Sequence, residues 1–435
     1  MSSPNLADQA REAVLFTLPL YEMARMRAAT SPRKHPTLGF AGADATSMLR
    51  WMNQFTHTRR LLGPQDREVV TPNNDTLYTN AWLDLAAGPV LIEVPEMGQR
   101  YWTLGFLDLW SNPFAYAGRR TTGNQAQRLF VHGPHWQGRA PDGAIEIAAP
   151  GDDIWIIGRI LVDDRADDLA AVRALQDRFV IRRPDGEPVA SRLDVAMAGR
   201  KTTTPAAAEY RRIVATALAR NPAPAGHTHQ VRNAAQFGLA ADETAAAITT
   251  ADAALQDALA SVCVELRDTA QPSDLGGGWN LPVLVRTDYG DDFLTRARVA
   301  RNLIGALGIE EAMYVVAEVD ADGAALDGRH RYELTFPAGQ APQVAAFWSL
   351  TIYRKSDCLL VDNALDRYSI GDRSAGLRCD EDGALRIRIQ ASDPGPDCNW
   401  LPAPAEPFYL TLRLYQPRAD HLDLRFRYPP VRRLS

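Results

Sequence analysis

Hydrophobic and polar positions change period along the chain, and the period predicts the elements. From Leu6 to Ala29 the residues Leu6, Ala10, Val14, Leu18 and Tyr21 recur three to four apart, the spacing of one helical face. Pro19 falls inside this run and predicts a kink or a split, because proline removes a backbone donor. A shorter helix is expected over Ala45–Thr56, capped by Asp44. The period then drops to two. Leu77, Thr79, Ala81 and Leu83 alternate with Tyr78, Asn80, Trp82 and Asp84, which reads as a strand. Val90–Val94, Tyr101–Leu109, Leu129–Val131, Ala144–Ile147 and Ile154–Val162 are short, rich in β-branched or aromatic residues, and bounded by Gly, Pro and Asp.

The middle of the chain returns to helical spacing. Leu169, Val172, Leu175 and Phe179 mark one helix, with Asp163 or Asp164 as its cap. Pro205–Arg220, Asp242–Asp268 and Asp291–Leu307 read as further helices, the last ended by Gly308. Strands resume over Met313–Val319, Arg331–Phe336, Ala346–Tyr353, Ala384–Gln390 and Phe408–Tyr415. The predicted fold class is α+β: two β-sandwich or jelly-roll-like domains joined by a helical segment, with an N-terminal helix. The expected divisions are residues 1–58 (helical), 59–190 (β-rich), 191–310 (helical linker) and 311–435 (β-sandwich). No repeat of fixed period is visible.

Composition narrows the class. At 435 residues the chain has ample material for a core, and 46% hydrophobic with 23% charged residues is ordinary for a globular protein. With 47 basic against 53 acidic residues it lacks the basic balance of a nucleic-acid binder. Met1–Gln9 lacks the build of a signal peptide, and no apolar run reaches membrane-spanning length. Cys263, Cys358, Cys379 and Cys398 form no C-x-x-C pair and read as free thiols of a reducing cytoplasm.

Candidate chemistry centres on Val69-Val-Thr-Pro-Asn-Asn-Asp-Thr-Leu-Tyr78, a polar turn feeding a strand. Asn73, Asn74, Asp75 and Thr76 have short side chains that bond back to local backbone. They make an Asx turn, or they position Asp75 as an acid or base with Tyr78 as a second proton carrier. Asp108 and Arg159 stand inside very apolar strands. Each is on a wetted face or paired in the interior, because an unpaired buried charge is costly. If paired, Arg159 should find Asp75 or Asp108. Gly118-Arg-Arg-Thr-Thr-Gly123 is a donor-rich loop for a carboxylate, or an exposed basic turn. No nucleophile elbow, dinucleotide loop or P-loop occurs. His132-x-x-His135 and His227-x-His229 lack the companions of a metal site, and Asp320–Gly323 and Asp380–Gly383 lack the calcium-loop spacing.

Pro72-Asn-Asn-Asp-Thr-Leu-Tyr78, Gly118–Gly123 and Ile157-Gly-Arg159 resemble the module named domain of unknown function 1254. Phe347–Tyr353, Val361-Asp-Asn363, Asp366–Arg373 and Asn399-Trp-Leu-Pro-Ala-Pro404 resemble its usual partner, domain of unknown function 1214. The resemblance implies a mainly bacterial protein of two β-rich domains joined by helices, and no particular activity. It groups Asn74, Asp75, Tyr78, Arg120 and Arg159 into one constellation, and Trp348, Tyr353, Asn363 and Tyr368 into a second.

Two functions follow as expectations. One is a cofactor-independent enzyme acting on a small, partly apolar substrate with a carbonyl or carboxylate, by hydrolysis, hydration or isomerisation. Arg120 would anchor the anionic group, Asp75 would move a proton beside Arg159, and Tyr78 would donate to developing charge, with Asn74, Asp108, Asn363 and Tyr368 at the substrate and Trp348 and Tyr353 as aromatic wall. The other is a ligand- or carbohydrate-binding or assembly protein in which the polar turns brace the domain interface. The expected partner is a small molecule, with no metal, nucleic acid or membrane, and a homo-oligomer is left open.

Overall fold

The structure, a computed structural model, describes residues 5–35, 39–40, 49–67, 69–163, 167–187, 193–195, 204–240, 248–268 and 272–435. Its first half contains β1 (Thr76–Asp84), β2 (Val90–Val94), β3 (Trp102–Leu107), β4 (Pro113–Gly118), β5 (Gln127–His132), β6 (Ile145–Ala148), β7 (Asp153–Leu161) and β8 (Val180–Arg182). The second half contains β9 (Ala312–Ala317), β10 (Arg331–Phe336), β11 (Val344–Arg354), β12 (Ser369–Gly371), β13 (Leu385–Gln390), β14 (Asn399–Pro402), β15 (Phe408–Pro417) and β16 (Arg432–Leu434).

The two halves share one topology. In the first, one sheet runs β1-β7-β3-β4, with the short strand Thr56–His57 beside β1, and the other runs β6-β5-β2-β8. In the second, the corresponding orders are β9-β15-β11-β12, extended by a hairpin of Ser273–Gly276 and Trp279–Leu281, and β14-β13-β10-β16. The β5–β6 and β13–β14 pairs are parallel, at matching places. Jelly rolls are antiparallel throughout, so that expectation is not met strand for strand. The halves repeat one two-sheet arrangement, and unequal loop lengths hide the repeat from a search for a fixed period.

Alternation along each strand decides what faces what. In the first half Trp102, Leu104 and Phe106 of β3 and Ile154, Ile156 and Ile160 of β7 face Val90, Ile92, Leu129 and Val131 of the second sheet. In the second half Leu410, Leu412 and Leu414 of β15 face Leu334, Phe336, Ile387 and Ile389. The opposite faces of the two larger sheets are covered as well. One end of the first is capped by helices, where Trp82, Leu107, Trp155 and Ile157 join the helical core. Its other end lies against the second half's larger sheet, with Tyr101 and Leu161 packed on Ala312, Phe347 and Tyr415.

The helical layer is α1 (Leu6–Thr30), α3 (Ala207–Arg220), α4 (Thr228–Ala235), α5 (Ile248–Asp268) and α6 (Phe293–Asn302). Helix α1 is buried along most of its length and continues through Pro19. The predicted split does not occur, because α1 packs on α3, α4, α5 and α6, and packing outweighs one missing bond. Arg27 of α1 and Arg220 of α3 converge on Asp153 at the start of β7, which ties helices to sheet. No described helix is long and apolar enough to cross a membrane.

Other local expectations change. The described part of Ala45–Thr56 holds the strand Leu49–Trp51 instead of a helix, and Asp44 lies outside the described residues. Helix α2 (Asp168–Gln176) has Asp167 at its N-cap position, not Asp163; Asp164 lies outside the described residues. Helix α6 ends at Asn302, well before Gly308, and is capped by Asp292, whose side chain accepts from the Thr295 amide. Residues Pro113–Gly118, which fall outside the strands expected from the sequence, form β4.

Gly118 and Gly371 close matching strands, β4 and β12. A Cβ at Gly118 would lie 2.6 Å from the Trp102 carbonyl oxygen, and at Gly371 2.2 Å from that of Trp348. Backbone cannot retreat as a flexible side chain can. We expect Gly118→Ala and Gly371→Ala each to lower unfolding free energy by ~1–3 kcal/mol in urea titrations, the usual scale of overpacking.

Candidate functional site

The faces that meet between the halves carry the charged motif residues. Arg159 on β7 stands in register between Tyr78 and Thr103. Arg413 on β15 stands in register between Tyr314 and Ser349. Asp75 precedes Tyr78 by the same interval as Glu311 precedes Tyr314, and Arg120 follows Gly118 as Arg373 follows Gly371. The backbone repeats the match: Val162 N donates to Asp75 O at 3.0 Å, and Gln416 N to Glu311 O at 3.0 Å.

The ion pairs cross from one half to the other, reciprocally. Arg373 Nη2 reaches Asp75 Oδ1 at 2.9 Å, and Arg120 Nε reaches Glu311 Oε2 at 2.8 Å. The remaining carboxylate oxygens are also taken. Ser349 Oγ donates to Asp75 Oδ2 at 2.6 Å, and Tyr101 Oη to Glu311 Oε1 at 3.0 Å. Asp75 and Glu311 are both buried.

The asparagine-rich bend plugs into the second half. Asn73 Oδ1 accepts from the Asp75 amide at 2.7 Å, an Asx turn, while its Nδ2 donates to Tyr415 Oη at 2.8 Å. Tyr353 Oη donates to Pro72 O at 2.7 Å, and Arg413 Nη2 to Thr71 O at 3.0 Å.

Arg159 and Arg413 are buried, at 6% and 3% exposure, and the described residues place no carboxylate in ion-pair contact with either. Arg159 bonds the Tyr314 hydroxyl and lies 5.7 Å from the Tyr78 ring centre. Arg413 bonds Thr351 Oγ1 at 2.9 Å and lies 5.5 Å from the Tyr353 ring centre. Each desolvated cation–π contact contributes about 2 kcal/mol, against a cost of several kcal/mol per buried ion. Three of the neighbouring tyrosines supply no countercharge: burial pushes Tyr101 and Tyr415 well above the ordinary range and Tyr353 up to about 12.

A cleft of about 740 Å³ opens at the rim of this seam. Its apolar lining is Met97, Tyr101, Leu161, Ala174, Leu175 and Ala346, and its basic lining is Arg100, Arg119, Arg178 and Arg373, with Glu96 and Asp163 opposed. Arg100 is committed to Asp168 and Arg373 to Asp75. Arg119 and Arg178 have no side-chain partner among the described residues. The matching position to Arg119 in the second half is Asp372, and in place of α2 stands a single turn, α7 (Ala419–Leu422). The cleft is where the two copies differ.

Residues 52–183 match the family described as protein of unknown function DUF1254, and residues 311–419 match the one described as protein of unknown function DUF1214. The chain belongs to the two-domain DUF1254–DUF1214 family. The crystal structure of the VPA0106 protein from Vibrio parahaemolyticus is similar over 99% of this chain and 100% of its own, with 24% identity and a TM-score of 0.75. That likeness concerns the fold alone. An uncharacterised protein from Burkholderia cenocepacia aligns over 99% of this chain and 94% of its own, with 11% identity and a TM-score of 0.43. No curated protein matches.

Within this DUF1254–DUF1214 chain the expected site residues scatter. Asp75, Tyr78, Arg120, Arg159 and Tyr353 meet at the seam. Neither wetted-face nor carboxylate-paired describes Arg159, which finds the Tyr314 hydroxyl instead. Asn74 is beside them, half-buried, with Oδ1 unpartnered. Trp348 faces the other way, into the second core against Phe336. Asn363 braces its own loop by accepting from the Leu365 and Arg367 amides, and Tyr368 Oη donates to Asp366. His132 bonds Glu146, His227 bonds Asp291, His229 lies 3.9 Å from Glu12, and His135 is exposed; no metal-holding cluster occurs among the described residues. Glu311, Tyr101, Ser349 and Tyr314 were missed. The signal for them was the match of Asp75-x-x-Tyr78 to Glu311-x-x-Tyr314, read beside Gly-x-Arg in each half.

Asp108 lies elsewhere, under the helical layer. It is buried, and its oxygens accept from Asn112 N at 2.8 Å and Asn112 Nδ2 at 3.0 Å. Burial pushes its carboxyl up to about 6, against the pull of the Asn112 bonds and the Arg296 charge. An unfolded aspartate titrates near 4. The folded chain therefore binds more protons between pH ~4 and ~6, and this group's contribution to stability falls as pH rises through that window. Asp108→Asn should remove that fall. Urea titrations from pH 4 to 7 should show the stability difference between parent and variant change by ~2–3 kcal/mol.

Asp75→Asn leaves the half-buried Arg373 without its partner charge. We expect a Tm lowered by about 3–5 °C, from a loss of ~3–5 kcal/mol for a broken buried pair in a chain of this size. Adding Arg373→Met should recover part of the loss in calorimetry.

Proposed function

We propose that the protein binds a small organic anion, carboxylate-bearing and partly apolar, in the cleft beside the seam, and that Asp75 braces the halves without moving protons. The observation that carries this is the placing of Arg119 and Arg178, two arginines free of side-chain partners, over an apolar lining. Arginine presents a planar fork of donors that fits a carboxylate. Tyr101 and Arg373 line the cleft from its inner side and are anchored to Glu311 and Asp75, so the ligand's contacts are held rigid.

Both Asp75 oxygens are engaged, and Asp75, Tyr78 and Arg159 do not line the cleft. A general base needs a lone pair within reach of the proton that it takes. Binding is therefore favoured over acid–base turnover by that set. The four free thiols suit a reducing compartment, and the cytoplasm is part of the same proposal.

The test is titration calorimetry with straight-chain carboxylates from hexanoate to dodecanoate, alongside the matching alcohols. Carboxylates should bind at least ~10-fold more tightly than alcohols, and Arg119→Ala should weaken them by ~10-fold or more, the scale of a charge-assisted bond. The Tm of Arg119→Ala should match the parent's. Equal binding of acids and alcohols, or binding by neither, overturns the proposal.

A further inference from the structure

The seam matches each of its acids to an arginine of the other half, Asp75 to Arg373 and Glu311 to Arg120. Arg159 and Arg413 remain. Each lies 5.9 Å from the centre of the same ring, that of Tyr314, so the two uncompensated guanidiniums share one aromatic neighbour. Asp75 is near enough to act on Arg413, but both of its oxygens are already occupied. Two like charges in a desolvated seam repel each other strongly, because little water screens them.

The same place holds unused donors. Arg159 Nε and Arg413 Nε are buried without an acceptor. So are Thr103 Oγ1, which is on the register partner of Arg159, and Thr411 Oγ1, two residues before Arg413 on the same face. An acceptor with a negative charge would satisfy these donors and offset one of the two positive charges. A water would satisfy the donors alone.

We propose that the seam holds a small monovalent inorganic anion, chloride in size, between Arg159 and Arg413. The site is distinct from the cleft, whose lining includes neither residue. The anion acts as a structural counter-ion, and its binding to the folded chain alone ties stability to halide concentration.

The full chain would be melted at fixed pH and fixed ionic strength while sodium gluconate is replaced stepwise by sodium chloride. Tm should rise with the logarithm of chloride, by on the order of 3 °C up to about 200 mM, and bromide should act likewise. Arg119→Ala, in the cleft, should keep this dependence. Arg159→Met should flatten it, and a bromide-soaked crystal of the parent should show an anomalous peak between the two guanidiniums. A parent Tm indifferent to the swap, together with no bromide peak, would mean that water satisfies the donors and the proposal is wrong.

Discussion

The reciprocal ion pairs across the seam are the constraint on which the rest of the molecule depends. A charge buried between two sheets must meet its partner, or the fold loses several kcal/mol. Here the partners sit on different halves, Asp75 with Arg373 and Glu311 with Arg120. Neither half can satisfy its own acid in this arrangement. The apolar contacts of Tyr101, Phe347 and Tyr415 would tolerate sliding, whereas the bonded carboxylates accept one register. The seam therefore sets the relative placing of the halves, and with it the walls of the cleft.

The repeated topology explains why the seam has this form. Two copies of one unit, packed through the same face, bring the same positions together twice. Arg159 beside Tyr78 and Arg413 beside Tyr314 are one arrangement repeated. What the copies share is structural: the buried cores, the paired acids, the tight glycines. What they do not share is the cleft, with Arg119 where the other copy has Asp372 and a two-turn α2 where the other has the single turn α7. Loss of symmetry is what singles out the cleft, because the bracing alone would be served by identical halves.

Much of the local structure was legible in the residues. The strands at Thr76–Asp84, Val90–Val94 and Asp153–Leu161 follow from alternation and β-branched content, and the long run of α5 from its stripe of Leu255, Leu259, Val262 and Leu266. The Asx turn at Asn73 is local chemistry and formed as read. The failures share a cause. Pro19 was read as a kink or a split, and the split fails because the packing that opposes it comes from helices far along the chain. Trp348 was read as site wall because it is aromatic and near a motif. Its strand parity turns it into the second core, away from Ser349 and Tyr353.

The sequence by itself determined the family, most of the element types and the presence of charged side chains in strands that have little water to offer them. It did so because periodicity and turn chemistry act over a few residues. Only the tertiary structure decided which half each acid binds, that Arg159 meets a tyrosine hydroxyl instead of a carboxylate, and that Arg119 and Arg178 share one cleft. Those outcomes depend on contacts between residues hundreds of positions apart. No local pattern encodes them, because the free energy that selects them exists only once both sheets are folded and facing each other.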